Sequence, residues 1–340
     1  MALVIYWYDF ICFAIIAGAF FFALWLIVRK EGGGKCDYDQ TMYESLLVAN
    51  SDPEGSEFDG LLRRPGYIDS TQLWTTCWRG LHPAWLLAVR MLSAALMGTI
   101  LWWDDCKYDS SIFIYYTEWT FTLIIVYFVL GTIISAHGCW TYVKKPQNEV
   151  PKRDLEETSE STTTISFRTN KVRGTIKLQS HWEQEETKQM AGFWGYLMQI
   201  VFQTCAGAVM LTDIVFWFLI VPFLSIAHFS LNTLMGCMHT LNLVFLLLDT
   251  AINRLSFPWF RIAYFMLWSC IYVIFQWVIH ACGYKLWPYP FLELSTPWAP
   301  VWYLCMAVIH LPCYGIYALI MKGKNALFSK LFPYAYIRSS

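Results

Sequence analysis

The amino-acid sequence predicts an all-α membrane protein, a polytopic bundle of seven transmembrane helices. Hydrophobic residues make up 57% of the 340 residues and charged residues 14%, whereas soluble domains carry about a quarter charged residues. The chain holds 18 Trp and 20 Tyr, whose rings favour the interface between lipid and water. Seven stretches are apolar over a length that crosses a bilayer, which takes about 20 residues of helix. The lipid bilayer is therefore the predicted environment of the chain.

The first apolar stretch, residues 4–28, has no basic start and no small-residue cleavage site. It is also longer than the core of a signal peptide. We therefore expect residues 1–28 to form an uncleaved N-terminal transmembrane anchor. Residues 84–136 contain the second and third spans, and residues 191–321 contain the last four. The six later spans are predicted at 84–103, 112–136, 192–221, 230–250, 260–282 and 298–321.

The fourth stretch is ambiguous, because apolar residues run almost unbroken from Ala191 to Ala227. It fits either one long tilted helix that ends near Pro222 or two short helices. The distribution of Lys and Arg favours one helix. With seven crossings, nearly all Lys and Arg residues that lie outside the spans fall on one side of the membrane. The tendency of positive loops to stay in the cytosol then predicts a lumenal or external N-terminus and a cytosolic C-terminus, in the endoplasmic reticulum or the plasma membrane.

Two long segments on the predicted cytosolic side lack hydrophobic periodicity. Residues 29–83 begin with a glycine-rich stretch and carry many Asp and Glu, and residues 137–190 include a mixed-charge Ser/Thr run. We expect both to be flexible, because such compositions bury too little apolar surface to offset chain entropy. Within the second, residues 143–190 are a candidate binding region for cytosolic proteins. Residues 322–340 are predicted to form a cytosolic tail. The net charge of −1 argues against nucleic acid as a partner.

Polar side chains inside the predicted spans mark the candidate functional site, because ionisable groups are costly in hydrocarbon. His239 lies in the first half of span five, Thr117 near the start of span three and Asp213 towards the end of span four. The predicted orientation puts all three in the lumenal half of the bilayer. Asn242 follows His239 by three residues on the same helix face, and His280 closes span six at its lumenal end.

A hydroxyl, an imidazole and neighbouring polar groups are the parts of a hydrolytic site. Thr117 would be the nucleophile and His239 the base, with Asn242, His280 and Asp213 as supporting groups. The alternative is that these polar residues only join neighbouring helices, as they do in many membrane bundles. No motif with the spacing of metal ligands occurs, so the sequence predicts neither a metal nor a cofactor.

Two alternatives to hydrolysis remain open at this point. The first is a transporter or signalling scaffold in which the polar cluster binds a ligand or protons. The Ser/Thr run favours it, although the internal repeats typical of transporters are not seen. The second is a haem protein with His239 and His280 as axial ligands. Asp249 is excluded as a partner of His239, since ten residues along one helix span about 15 Å.

Three motifs resemble a known family of multi-pass membrane proteins. GCMHT occupies residues 236–240, WVIHACGYKLWPYPFLEL residues 277–294, and YYTEWTFTLIIVYF residues 115–128. Their order is similar to that of the androgen-induced and androgen-dependent TFPI-regulating membrane proteins, threonine hydrolases that cleave fatty acid esters of hydroxy fatty acids. The resemblance covers residues 84–321. The long loops are similar to those of the plant members of that family.

The resemblance implies a lipid esterase that works through an acyl-threonine intermediate, with a lipid ester as its substrate. It implies His239 as the catalytic base and Thr117 as the nucleophile. Thr120 and Thr122 are near enough in the sequence to compete for the second role. The family core would have six helices, to which the first span of this chain is added.

Overall fold

The computed structural model describes residues 6–31, 70–108, 110–144, 192–223 and 233–338. Within them, seven helices are long and apolar enough to cross a membrane, which confirms the predicted all-α membrane bundle. These are α1 (Trp7–Glu31), α2 (Ala84–Tyr108), α3 (Tyr116–Lys144), α4 (Phe193–Val215), α5 (Thr233–Ile252), α6 (Ile262–Ala281) and α7 (Ala299–Leu331). The Ser/Thr run and most of the candidate partner region at 143–190 lie outside the described residues.

Several helix ends differ from the predicted spans, including the end of α2 at Tyr108 rather than at 103 and the end of α3 at Lys144 rather than at 136. α3 begins at Tyr116 rather than at 112, because a separate 3₁₀ turn, Ser110–Ile114, precedes it. α7 continues to Leu331 instead of ending at 321. α4 passes without a break into a π-helical turn, Phe216–Ile220, and on to residue 223, so the ambiguous stretch is one helix up to that point.

α4 is the central helix of the bundle. In its most apolar part 67% of the residues are buried, against 22% in α1 and in α2, and α4 contacts α3, α5, α6 and α7. The close approach of α6 depends on Gly207, because a Cβ at that position would lie 2.5 Å from the Phe265 ring. Small residues of this kind let membrane helices pack closely.

The first helix is a wall of the bundle rather than a detached anchor. α1 packs along α6 and α7, and its Cys12, Ile16, Ala23 and Leu26 are buried in the shared core. These four positions fall on one helix face, which is the pattern of a helix with one side in protein and the other in lipid.

The expectation that residues 29–83 are flexible is wrong for the end of that segment. The Cys77 N–H donates to the Ile252 carbonyl at 2.8 Å, and the Trp78 indole donates to the Ala251 carbonyl at 3.0 Å. The prediction rests on the average composition of the whole segment. It cannot show that Cys77 and Trp78 hydrogen-bond to the end of α5. Buried backbone groups that are paired in this way hold a chain in one place.

The prediction that residues 322–340 form a tail is also wrong for most of their length. After α7 ends, the chain turns back and pairs with the segment just described. The Arg79 N–H donates to the Ala335 carbonyl at 2.6 Å and the Ile337 N–H to the Cys77 carbonyl at 2.8 Å. The two segments thus form a short antiparallel bridge against the bundle.

A buried arginine connects α2, α3 and α5. Arg90 Nε donates to Asp249 Oδ1 at 2.9 Å, and both side chains are 0% exposed. Arg90 Nη1 also donates to Ser135 Oγ at 2.7 Å, while the Tyr127 hydroxyl and the Asn253 amide donate to Asp249 Oδ2. We call these five residues the Arg90 clamp. It leaves Asp249 without any role towards His239, as the sequence predicts.

A second arginine connects α1, α4 and α6. Arg261 Nε donates to Glu31 Oε1 at 3.0 Å, and Arg261 Nη1 donates to Gln199 Oε1 at 2.5 Å. The Tyr264 hydroxyl donates to the other oxygen of Glu31. Both arginines lie towards the side of the bundle that carries residues 253–258 and 332–338. We call this the far side.

Arg90→Met should unfold the bundle at a markedly lower temperature, because it leaves the Asp249 carboxylate buried without its cation. Breaking such a pair costs about 3–5 kcal/mol. Thermal unfolding of the purified protein in lipid nanodiscs measures the loss. Arg79→Met, at an exposed position, is the matched control, and adding Asp249→Leu to Arg90→Met should recover part of the stability. An unchanged unfolding temperature in Arg90→Met would contradict this role.

Candidate active site

The structure brings together two of the predicted site residues from separate helices. Thr117 is the second residue of α3, and His239 lies six residues after the start of α5. Thr117 Oγ1 lies 3.4 Å from His239 Nε2. A productive hydrogen bond between a nucleophile and its base measures about 2.6–3.2 Å, and such bonds are often longer before substrate binds. The hydroxyl and the imidazole therefore face each other at a distance that a small movement closes.

Asp213 and Asn242 lie on the other side of the His239 ring. Asp213 Oδ1 is 3.6 Å from His239 Nδ1, and the same oxygen accepts a hydrogen bond of 3.0 Å from the Asn242 amide. Because a carboxylate only accepts, it favours the tautomer with the proton on Nδ1. His239 Nε2 then presents its lone pair to Thr117, which is the arrangement of a nucleophile, a base and a group that orients the base.

The π-helical turn after α4 holds the imidazole from a third direction. The Phe216 ring stacks on His239 with centroids 3.7 Å apart and planes 8° apart. The Trp217 indole donates to the backbone carbonyl of His239 at 3.2 Å. Single π-helical turns occur frequently at functional sites. Here the turn places two successive aromatic residues against α5 and fixes the plane of the ring.

Tyr289 is a residue of the site that the sequence did not single out, although it lies in the WPYPFLEL motif. Its hydroxyl lies near the Thr117 side chain and the backbone amides of Tyr116 and Thr117. Burial is the main cause that raises the pKa of Tyr289, and the contact with Thr117 opposes it. The phenol is therefore a neutral O–H group at physiological pH, held beside the first turn of α3.

Thr120, the competing nucleophile, does not face the imidazole. Its side chain is 1% exposed and lies near the Tyr116 hydroxyl, one helical turn after Thr117. The Thr122 hydroxyl oxygen is buried and has no hydrogen-bond partner among the described residues. Thr117 is thus the threonine of α3 that the structure brings to His239.

His280 does not join the site. Its Nδ1 lies 2.7 Å from the Gln276 carbonyl and its Nε2 lies 3.0 Å from the Leu286 carbonyl, and its ring stacks on Trp287. Since both nitrogens face carbonyl oxygens, neither offers a lone pair to a haem iron or to Thr117. Within the residues that the structure describes, no three His, Cys, Asp or Glu side chains are grouped as a metal ion would require.

Thr117 and His239 open onto a cavity between the helices. Its empty volume is about 880 Å³, a figure that includes the open space at its mouth. α1, α3, α4, α5, α6, α7 and the segment 289–292 all contribute to a wall that is mostly apolar. Besides Thr117 and His239, the lining includes Ile16, Ala19, Leu211, Val215, Ile220, Met266, Val273, Phe291, Leu292, Met306 and Ala307.

Met306→Trp should fill part of this cavity and weaken the binding of a long-chain lipid by about tenfold or more, which corresponds to about 1.4 kcal/mol. The measurement is the affinity of a fluorescent fatty acid for the purified protein in nanodiscs. Leu304→Trp is the matched control, because Leu304 lies on the same helix and is exposed at 55%. Equal binding by the two variants would mean that lipid does not occupy the cavity.

Comparisons of the chain with protein-family models, with curated proteins and with solved structures find no match. The family resemblance of the three motifs therefore stays a prediction, as do the roles that it assigns to Thr117 and His239.

Proposed function

We propose that the protein is an intramembrane lipid esterase with Thr117 as its nucleophile and His239 as its base. The observation that carries this proposal is the alignment of Thr117, His239 and Asp213 at successive distances of 3.4 and 3.6 Å, at the wall of an apolar cavity. A polar chain of this kind is expensive inside a membrane, and such residues mark functional sites by default.

In the first step, Thr117 Oγ attacks the ester carbonyl while its proton passes to His239 Nε2. The imidazolium that forms lies beside the Asp213 carboxylate, which stabilises the positive charge. His239 then gives the proton to the leaving alkoxide, which departs as an alcohol, and an acyl-threonine remains. Water then gives a proton to His239 and attacks the acyl group, the bond to Thr117 Oγ breaks as the carboxylic acid forms, and His239 returns the proton to Thr117 Oγ.

The negative charge that develops on the carbonyl oxygen has two donors within reach. Tyr289 supplies a neutral O–H beside Thr117. The first turn of α3 supplies backbone N–H groups that have no partner within the helix, together with the positive end of its dipole. Donors that are already in place where charge develops are worth several kcal/mol in catalysis.

The substrate class follows from the wall of the cavity. Apolar side chains from six helices favour long acyl chains, and the position of the site inside the bundle suits a lipid that arrives from the bilayer. The resemblance to the threonine hydrolases points to fatty acid esters of hydroxy fatty acids or similar lipid esters. No cofactor is part of the proposed reaction.

The proposed sidedness places the site in the lumenal or external half of the membrane. It is supported by the distribution of Lys and Arg along the sequence, which favours a cytosolic far side. The proposed location is the endoplasmic reticulum or the plasma membrane.

Thr117→Ala and His239→Ala should each lower the hydrolysis of a fatty acid ester of a hydroxy fatty acid by about 10²-fold or more, since base assistance alone supplies about 10²–10⁴-fold. Both variants should lose covalent labelling by a fluorophosphonate probe. Thr120→Ala is the matched control in the same helix and should keep both activities. Full activity of Thr117→Ala would exclude the acyl-threonine. Absence of hydrolysis and labelling in the wild type would favour a transporter or signalling scaffold instead.

Tyr289→Phe should lower kcat by about 10²-fold, because it removes one donor to the developing oxyanion, and should leave KM nearly unchanged. Steady-state kinetics on the same ester separates the two constants. Tyr284→Phe, at an exposed tyrosine in the same connection, is the control. A rise in KM at constant kcat would show that Tyr289 binds the ground state of the substrate rather than its transition state.

A further inference from the structure

A second polar cluster opens onto the same cavity and takes no part in the proposed reaction. His310 of α7, Ser269 of α6 and Tyr116 of α3 all line the cavity. His310 Nε2 lies 2.7 Å from Ser269 Oγ, and the Tyr116 hydroxyl lies 2.8 Å from the same oxygen. The three side chains form a hydrogen-bonded row in a wall that is otherwise mostly apolar.

The hydrogen bond between His310 and the Met306 carbonyl fixes the direction of the other two bonds in the row. His310 Nδ1 lies 2.6 Å from the Met306 carbonyl, which can only accept, so Nδ1 carries the proton and Nε2 of the neutral ring is an acceptor. Ser269 must therefore donate its only hydrogen to His310. Because that hydrogen is committed, the bond between Tyr116 and Ser269 uses the hydrogen of Tyr116.

Ser269 is left with an unused acceptor position. A hydroxyl oxygen has two lone pairs, and within the described part of the chain only Tyr116 donates to Ser269. His310 is fixed by the Phe265 ring, whose centroid is 4.5 Å away, and Phe265 in turn packs against Gly207. The row is therefore held in place and presents an acceptor to whatever occupies the cavity.

We propose that Tyr116, Ser269 and His310 form a subsite that binds the O–H head group of a long-chain lipid, a carboxylic acid or an alcohol. The ligand donates to Ser269 Oγ, and its alkyl chain lies along the apolar wall. An acid binds in its neutral form, because burial in an apolar site disfavours the charged form. An ester end group has no hydrogen to donate and gains nothing from Ser269.

The subsite deepens the proposed function and rests on it for its biological meaning. Tyr116 and Thr117 are consecutive, with Cα atoms about 3.8 Å apart. Tyr116 hydrogen-bonds to the same Ser269 oxygen that would accept from the lipid. A lipid head group at Ser269 is thus linked through Tyr116 to the turn of α3 that carries the nucleophile. The subsite would select esters that bear a free acid or hydroxyl over esters whose polar ends are all capped.

The test compares three ligands of one chain length: palmitic acid, cetyl alcohol and methyl palmitate. Each displaces a fluorescent fatty acid from the full-length Thr117→Ala protein in nanodiscs, a background in which the ester is not consumed. We expect the acid, the alcohol or both to bind about tenfold more tightly than the methyl ester, the equivalent of one hydrogen bond. Tighter binding of palmitic acid or of cetyl alcohol than of methyl palmitate identifies the head group as an acid or as an alcohol. Equal affinities for all three ligands would overturn the proposal.

Adding Ser269→Ala should remove the preference while the affinity for methyl palmitate stays the same, and Ser269→Thr should restore it. Ser93→Ala, at a buried serine of α2 outside the cavity wall, should have no effect on the preference. A preference that survives in Ser269→Ala would overturn the assignment to Ser269. Because the comparison of ligands in Thr117→Ala needs no second variant, the proposal stays testable even if Ser269→Ala does not fold.

The two proposals fail in distinguishable ways. If the wild type hydrolyses lipid esters but Thr117→Ala binds all three ligands equally, the proposed subsite is overturned and the proposed function is supported. If the wild type hydrolyses no ester while the Ser269-dependent preference is present, the proposed function falls and the subsite stands as a lipid-binding site.

Discussion

The ion pair between Arg90 and Asp249 is the interaction on which the geometry of the site depends. It joins α2 to α5, and through Tyr127 and Ser135 it also joins α3. Thr117 belongs to α3 and His239 to α5, so the clamp fixes the rotation and height of the two helices that carry the candidate catalytic pair. A charge pair that is fully buried tolerates little displacement, since any loss of contact leaves an unpaired charge in hydrocarbon.

The polar groups in the bundle divide into two levels with different surroundings. Towards the far side, Arg90 and Arg261 each hydrogen-bond to side chains of neighbouring helices, while the Nη2 atom of each has no partner among the described residues. At the level of the cavity, the rows Thr117–His239–Asp213 and Tyr116–Ser269–His310 face empty space on one side. The first level makes the bundle rigid, and the second leaves donors and acceptors for a ligand. A rigid support that positions a partly unsatisfied site is what the proposed reaction would require.

Much of this arrangement could be predicted from the sequence, because hydrocarbon imposes strong rules on composition. The seven helices follow from the apolar stretches, and Thr117, His239, Asp213 and Asn242 are visible as polar residues inside them. Which of Thr117 and Thr120 faces His239 depends on how α3 is rotated against α5. That rotation is set by the contacts of Asp249 with Arg90 and Tyr127, whose pairing local periodicity does not reveal.

Three of the residues that the sequence missed share one property. Tyr289, Phe216 and Tyr116 are aromatic, and in a chain with 24 Phe and 20 Tyr a site aromatic looks like any residue of the lipid interface. The mistake over His280 has a related cause. Its partners are the backbone carbonyls of Gln276 and Leu286. Because every residue has a backbone carbonyl, the residue types do not show which carbonyls contact His280.

The Arg90 clamp also has a consequence for the biogenesis of the protein. Arg90 and Asp249 are 159 residues apart in the chain, and translation proceeds at about 5–20 residues per second. The second helix therefore waits roughly 8–32 s with an uncompensated cation before the fifth helix leaves the ribosome. During that interval the guanidinium has to reach for the headgroups or for water. Nascent chains that stop before Asp249 keep this exposed charge, which gives quality control a feature by which to recognise them.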